Sequence, residues 1–107
     1  MAYVFTPGVS KNATIPVNVS PAGLAGEVEI YLGPNAGTKT VTSGRKPFTS
    51  TGAQQNVSAP LVMPSPAVGT VYHVYIDLYA EGQLLAQYIA TDDVIIPTGT
   101  VAPPVWS

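Results

Sequence analysis

Tyr72-His73-Val74-Tyr75-Ile76-Asp77-Leu78-Tyr79 reads at a period of two, with Tyr72, Val74, Ile76 and Leu78 on one side and His73, Tyr75, Asp77 and Tyr79 on the other. Eight alternating residues rich in aromatic and β-branched side chains specify a strand, and this one is the expected centre of the fold. Glu81-Gly82 then turns the chain, and residues 83–91 run back along it. A plain two-residue turn at Glu81-Gly82 would set Gln87 opposite Ile76 on the apolar face. A slip of one residue pairs Leu78 with Ala86, Ile76 with Tyr88 and Val74 with Ala90. Only the slipped register buries an apolar set, and burial fixes register. A three-residue or G1-bulge turn, rather than a plain two-residue one, is therefore expected at Gly82.

Outward from this hairpin the other strands are shorter. Residues 4–6 open the chain. Residues 13–20 place Ile15, Val17 and Val19 on one face, with Pro16 marking an edge or a bulge. Residues 26–33 turn Val28, Ile30 and Leu32 inward and Glu27, Glu29 and Tyr31 outward. Residues 39–43 form a polar edge. Residues 54–63 bury Val57, Ala59, Leu61 and Met63, and Pro60 points its missing donor to an unpaired side. Residues 64–69 are a turn cluster, and residues 93–96 extend the return strand or begin a last one. Eleven prolines and ten glycines leave no room for helices. Strands this short, separated by Gly, Pro and Asn turns, specify an all-β, two-sheet Greek-key sandwich of seven to eight antiparallel strands. One domain over residues 1–97 and a Pro-rich tail over 98–107 are expected.

Composition narrows the function classes. Of 107 residues 46% are hydrophobic and 9% charged, which is too apolar for a disordered chain despite the charge falling far below the usual ~25%. Four basic and six acidic residues give a net charge of −2, without the clustered basic face that nucleic acid requires. Zero cysteines exclude disulfides and thiolate metal sites. The N-terminus lacks a basic region followed by an apolar one, so no signal peptide is expected, and no apolar run is long enough for membrane insertion. Location stays open, with a virion or an extracellular assembly as candidates.

Residues that could carry chemistry do not converge. His73 needs an orienting carboxylate for acid–base work, and Asp77 on the same face lies ~13 Å away at strand rise. A half-exposed sheet histidine is the expectation. Asp92 and Asp93 point to opposite faces and are too few for calcium. Glu27 and Glu29 stand ~6.6 Å apart on the outward face and read as solvated. Residues 33–37 lack the Lys and helix of a phosphate loop and read as a turn. The Asn12, Asn18 and Asn56 triplets fit the glycosylation pattern and are taken as unmodified. No catalytic, cofactor-binding or metal residue is expected. The tyrosines are different. Tyr31, Tyr75 and Tyr79 share the outward side of neighbouring strands, and the slipped register adds Leu85 and Ile89. An apolar, aromatic face on so weakly charged a chain reads as a partner-binding surface.

The pattern resembles immunoglobulin-like and fibronectin-III-like sandwiches, and most of all the bacterial adhesion-type domains. The matching residues are Gly26, Val28, Ile30, Tyr31 and Leu32 before a turn, then Gly69, Tyr72, Val74 and Ile76 in the penultimate strand. The resemblance spans residues 10 to 97 and implies an immunoglobulin-like Greek-key β-sandwich. It departs from antibody domains in lacking the Cys pair and a core Trp. Its motifs encode sheet burial rather than a site. The combined expectation is a non-enzymatic structural or adhesive module, either a virion or surface-assembly component or an adhesin-like domain. It would act through a protein partner or self-association and need no cofactor. The alternative is a small carbohydrate-binding module that stacks a glycan on exposed tyrosines.

Overall fold

The alternation at 72–79 becomes a ten-residue strand in the computed structural model, which describes residues 3–64, 71–96, 99 and 102–106. Nine strands follow one another: β1 (Tyr3–Val4), β2 (Ser10–Asn18), β3 (Ala25–Gly33), β4 (Val41–Thr42), β5 (Lys46–Thr49), β6 (Gln54–Val62), β7 (Val71–Ala80), β8 (Gln83–Ile89) and β9 (Val94–Ile95). The described residues contain no helix, and the fold is all-β. Most of the expected turn at 64–69, and part of the tail, lie outside the described residues.

The large sheet is built on the antiparallel pair β3–β7, with Ile30 opposite Ile76 and Tyr31 opposite Tyr75. β4 and β5 share the far side of β3, while β8 and β9 share the far side of β7. β1 joins β9 in parallel, with Tyr3 opposite Val94, so the sheet is mixed rather than wholly antiparallel as expected. β5 is also an addition to the expected strands; its Lys-Pro-Phe-Thr sequence is too short to show a period. β2 and β6 form the second sheet.

The hairpin reaches the slipped register by a different device. Ala80 pairs with Gln83, so the turn is a two-residue one, and Glu81 and Gly82 have φ of 50° and 78° as a type I′ turn requires. Tyr79 pairs with Leu84, but Leu78 pairs with Ala86 and Ile76 with Tyr88. Leu85 is thus the extra residue of a bulge, placed two pairs beyond Gly82. Glu81, held at an unusual positive φ, is tied down: its Oε1 accepts the Ala25 N–H at 3.0 Å and its own N–H donates to the Ala25 carbonyl at 2.8 Å.

Ile15, Val17, Val57, Ala59, Leu61 and Met63 of the small sheet and its flank meet Val28, Ile30, Leu32 and Tyr72 of the large one, with Val94 and Ile96 closing the core. Val74, Ile76 and Leu78 are only partly buried, contrary to the full burial that alternation implies. The covering sheet is two strands wide, and its cross-sheet approaches run from β6 to β3, β4 and β5. The inner side of β7 and β8 is left open. A cleft of about 370 Å³ there reaches Leu32, Leu61, Met63 and Val74, and a second is walled by Ile15, Val17, Ile76 and Leu78; Tyr88 borders both.

Candidate functional site

The outward face of β3 and β7 collects Glu27, Glu29, Tyr31, Tyr75, Asp77 and Tyr79, because the antiparallel register sets Tyr31 beside Tyr75, Glu29 beside Asp77 and Glu27 beside Tyr79. The chain between β3 and β5 then folds back over this face. Lys39 Nζ lies 4.8 Å from the centre of the Tyr31 ring and donates to Glu29 Oε1 at 2.9 Å. Thr42 Oγ1 donates to the other Glu29 oxygen. Arg45 sits 3.9 Å over the Tyr79 ring and 3.7 Å from Glu27 Oε1. Tyr31 Oη donates to the Ala36 carbonyl at 3.0 Å, and Gln87 Nε2 donates to Tyr31 Oη and to Asp77 Oδ1.

Side was legible from the pattern, but cover was not. Tyr31 and Tyr75 are 1% and 6% exposed, their rings stacked at 5.3 Å between centroids, where exposed surface was expected. Glu29 is buried rather than solvated, because Lys39 and Thr42 reach over it. Tyr79 is half-buried under Arg45. Leu85 and Ile89 are exposed on β8. The five residues therefore divide into an enclosed tyrosine pair, a capped tyrosine and an exposed edge.

Electrostatically the enclosed part is self-contained. Burial pushes the Glu29 carboxyl up, but the hydrogen bonds from Thr42 and Lys39 and the Lys39 charge outweigh it and hold the group below its usual range. The hydrogen bond to Glu29 keeps the Lys39 ammonium above its usual value. Burial, reinforced by the Asp77 charge, pushes the Tyr31 phenol up, so it remains a neutral donor. Every buried side-chain nitrogen and oxygen among the described residues has a partner. Such a cluster clamps the 34–45 segment onto the sheet.

His73 does acquire the carboxylate that its own strand withholds. Asp93, twenty residues on, lies 2.9 Å from Nδ1 across the β7–β9 junction, with the two side chains 50% and 35% exposed. Strand spacing cannot reveal a partner brought in by the next chain reversal. No group of three His, Cys, Asp or Glu among the described residues is placed to hold a metal ion.

The exposed feature is β8. Leu84, Leu85, Tyr88 and Ile89 are 55–58% exposed, and the strand Gln83-Leu84-Leu85-Ala86-Gln87-Tyr88-Ile89 carries no charge. Leu85 and Ile89 were expected on the outer surface and Leu84 was not considered. Ala86 and Tyr88, expected in the buried set opposite Leu78 and Ile76, are exposed because the two-stranded sheet does not reach over β8. The signal for Leu84 and Tyr88 was the charge-free run itself, next to the outermost hairpin turn. No helix of the described residues is long and apolar enough to cross a membrane. Compared with protein-family models, curated proteins and solved structures, the chain matches none.

Proposed function

We propose that this chain is a structural or adhesive module that works by protein–protein assembly, as part of a virion or surface assembly or as an adhesin-like domain. The observation that carries the reading is the exposed, apolar, charge-free edge of β8 on a molecule whose polar cluster is satisfied internally. Exposed edges offer unpaired backbone groups, and apolar side chains along one supply contact area. We further infer an immunoglobulin-like Greek key. Its support is the pairing of β2 with β6, of β3 with β7 and of β7 with β8, together with the parallel contact of β1 and β9. The outward tyrosines favour the carbohydrate alternative less, since Tyr31 and Tyr75 are enclosed and Tyr79 lies under Arg45; the exposed tyrosines are Tyr3 and Tyr88. Light scattering over a concentration series, with a glycan array run on the same preparation, tests the reading. Association without glycan retention is expected. Glycan retention by a protein that stays monomeric would replace assembly by carbohydrate recognition.

A further inference from the structure

Among the described residues, the free edges of β2, β5 and β6 are protected. In the small sheet the Met63 N–H donates to the Val9 carbonyl, which makes the odd positions of β2 and β6 the hydrogen-bonded ones. Pro16 and Pro60 are at even positions, so each directs its missing N–H to a free edge. In β5 the Ser50 N–H donates to the Leu24 carbonyl, and the same parity sends the missing donor of Pro47 outward beside Lys46. Proline and lysine on an edge are the usual means of preventing strands from pairing there. β8 has neither. The Ala90 N–H donates to the Val74 carbonyl at 2.9 Å, so beyond the bulge the even positions Ala86 and Tyr88 bond to β7 while Gln87 and Ile89 turn their backbone N–H and C=O groups to the open side.

We infer that β8 is the pairing edge for a second copy of this chain, joined antiparallel about a two-fold axis so that two large sheets become one. The inference rests on the assembly reading and names its partner. A like copy fits because the strand is self-complementary: uncharged throughout, it brings no like charges together, and apolar side chains project from both faces. The bulge at Leu85 confines regular pairing to the residues beyond it. The register that uses them sets Gln87 opposite the partner's Ile89, with four backbone hydrogen bonds, and stands Tyr88 against the partner's Tyr88 as a close aromatic pair.

The test is Ile89→Pro, which deletes an outward N–H and leaves the β7 ladder its bonds, combined with amide hydrogen exchange of the wild type at low and high concentration. The expected result is a wild-type dimer by sedimentation equilibrium whose Gln87 and Ile89 amides gain protection with concentration. Ile89→Pro should raise its dissociation constant by roughly tenfold or more. A dimer that leaves these two amides fast and exchanges as the wild type does after Ile89→Pro would overturn the edge while leaving assembly standing. A wild type that is monomeric at every concentration would overturn pairing between like copies. If Ile89→Pro fails to fold, the wild-type exchange data decide alone: concentration-dependent protection at Gln87 and Ile89 supports the pairing, and its absence overturns it.

Discussion

Glu29 is a carboxylate kept charged under a cover of side chains, and the sign of its effect follows from that. Its folded pKa lies below the ordinary 4.5, so the unfolded chain binds the proton more readily than the folded one. The stabilisation is complete above the unfolded value and is lost as pH falls through the folded value. Urea midpoints should hold steady near neutrality and drop as pH falls below about 4. Glu29→Gln should flatten that decline, and an unchanged slope would assign the acid sensitivity to other carboxylates. Gly33 is a second residue with a physical demand upon it. A Cβ built there would lie 1.8 Å from the Thr38 carbonyl oxygen, in the Asn35–Thr38 bridge that starts the covering segment. Gly33→Ala should therefore cost about 1–3 kcal/mol in chemical denaturation, as overpacking against backbone does. A neutral result would show that the segment can shift outward freely.

At the scale of elements, the narrow second sheet sets which strand positions matter. Leu32 on β3 is 1% exposed beneath β6, whereas Ile76 on β7 faces the open cleft. Leu32→Ala should cost about 2–5 kcal/mol, and Ile76→Ala no more than about half of that, because part of its surface already meets water. Equal losses in paired denaturation curves would mean that the cleft closes in solution. The contrast also marks the limits of sequence reading. Period two assigned Val28, Ile30, Leu32, Val57, Ala59 and Leu61 to the core correctly, since alternate side chains must share a face. It placed Val74, Ile76 and Leu78 on the same face without showing that the small sheet, shifted toward β3–β5, leaves them half covered. The hairpin register was legible from matching apolar positions across the pair, although β8 is exposed along its whole length and the burial argued for that register is not realised; the type I′ turn plus bulge that achieves it was not legible. The tyrosine face was legible as a side of the sheet. Its enclosure was not, because Lys39, Thr42 and Arg45 come from a segment with no period of its own.

Across the whole molecule the extents are 73 × 22 × 22 Å, more than twice the ~34 Å that a ten-residue strand spans. Residues 102–106 of the tail are all exposed, Val105 at 95% and Trp106 at 88%. Trp106 is the sole tryptophan, while three of the six tyrosines, Tyr31, Tyr72 and Tyr75, are buried in the sheets. The two fluorophores therefore report on different things. On unfolding in urea, tryptophan emission should keep its solvent-exposed maximum, whereas near-ultraviolet tyrosine circular dichroism should collapse in one cooperative step. Deleting residues 102–107 should leave the unfolding free energy from urea titration within about 0.5 kcal/mol of the full chain, the range for surface changes that remove no packed contact. If two copies pair through β8 alone, tryptophan emission should also stay constant as concentration rises through dimerisation. A blue shift that grows with concentration would instead bring the tail into the contact between copies, and a blue-shifted monomer would mean that Trp106 packs on its own sheets.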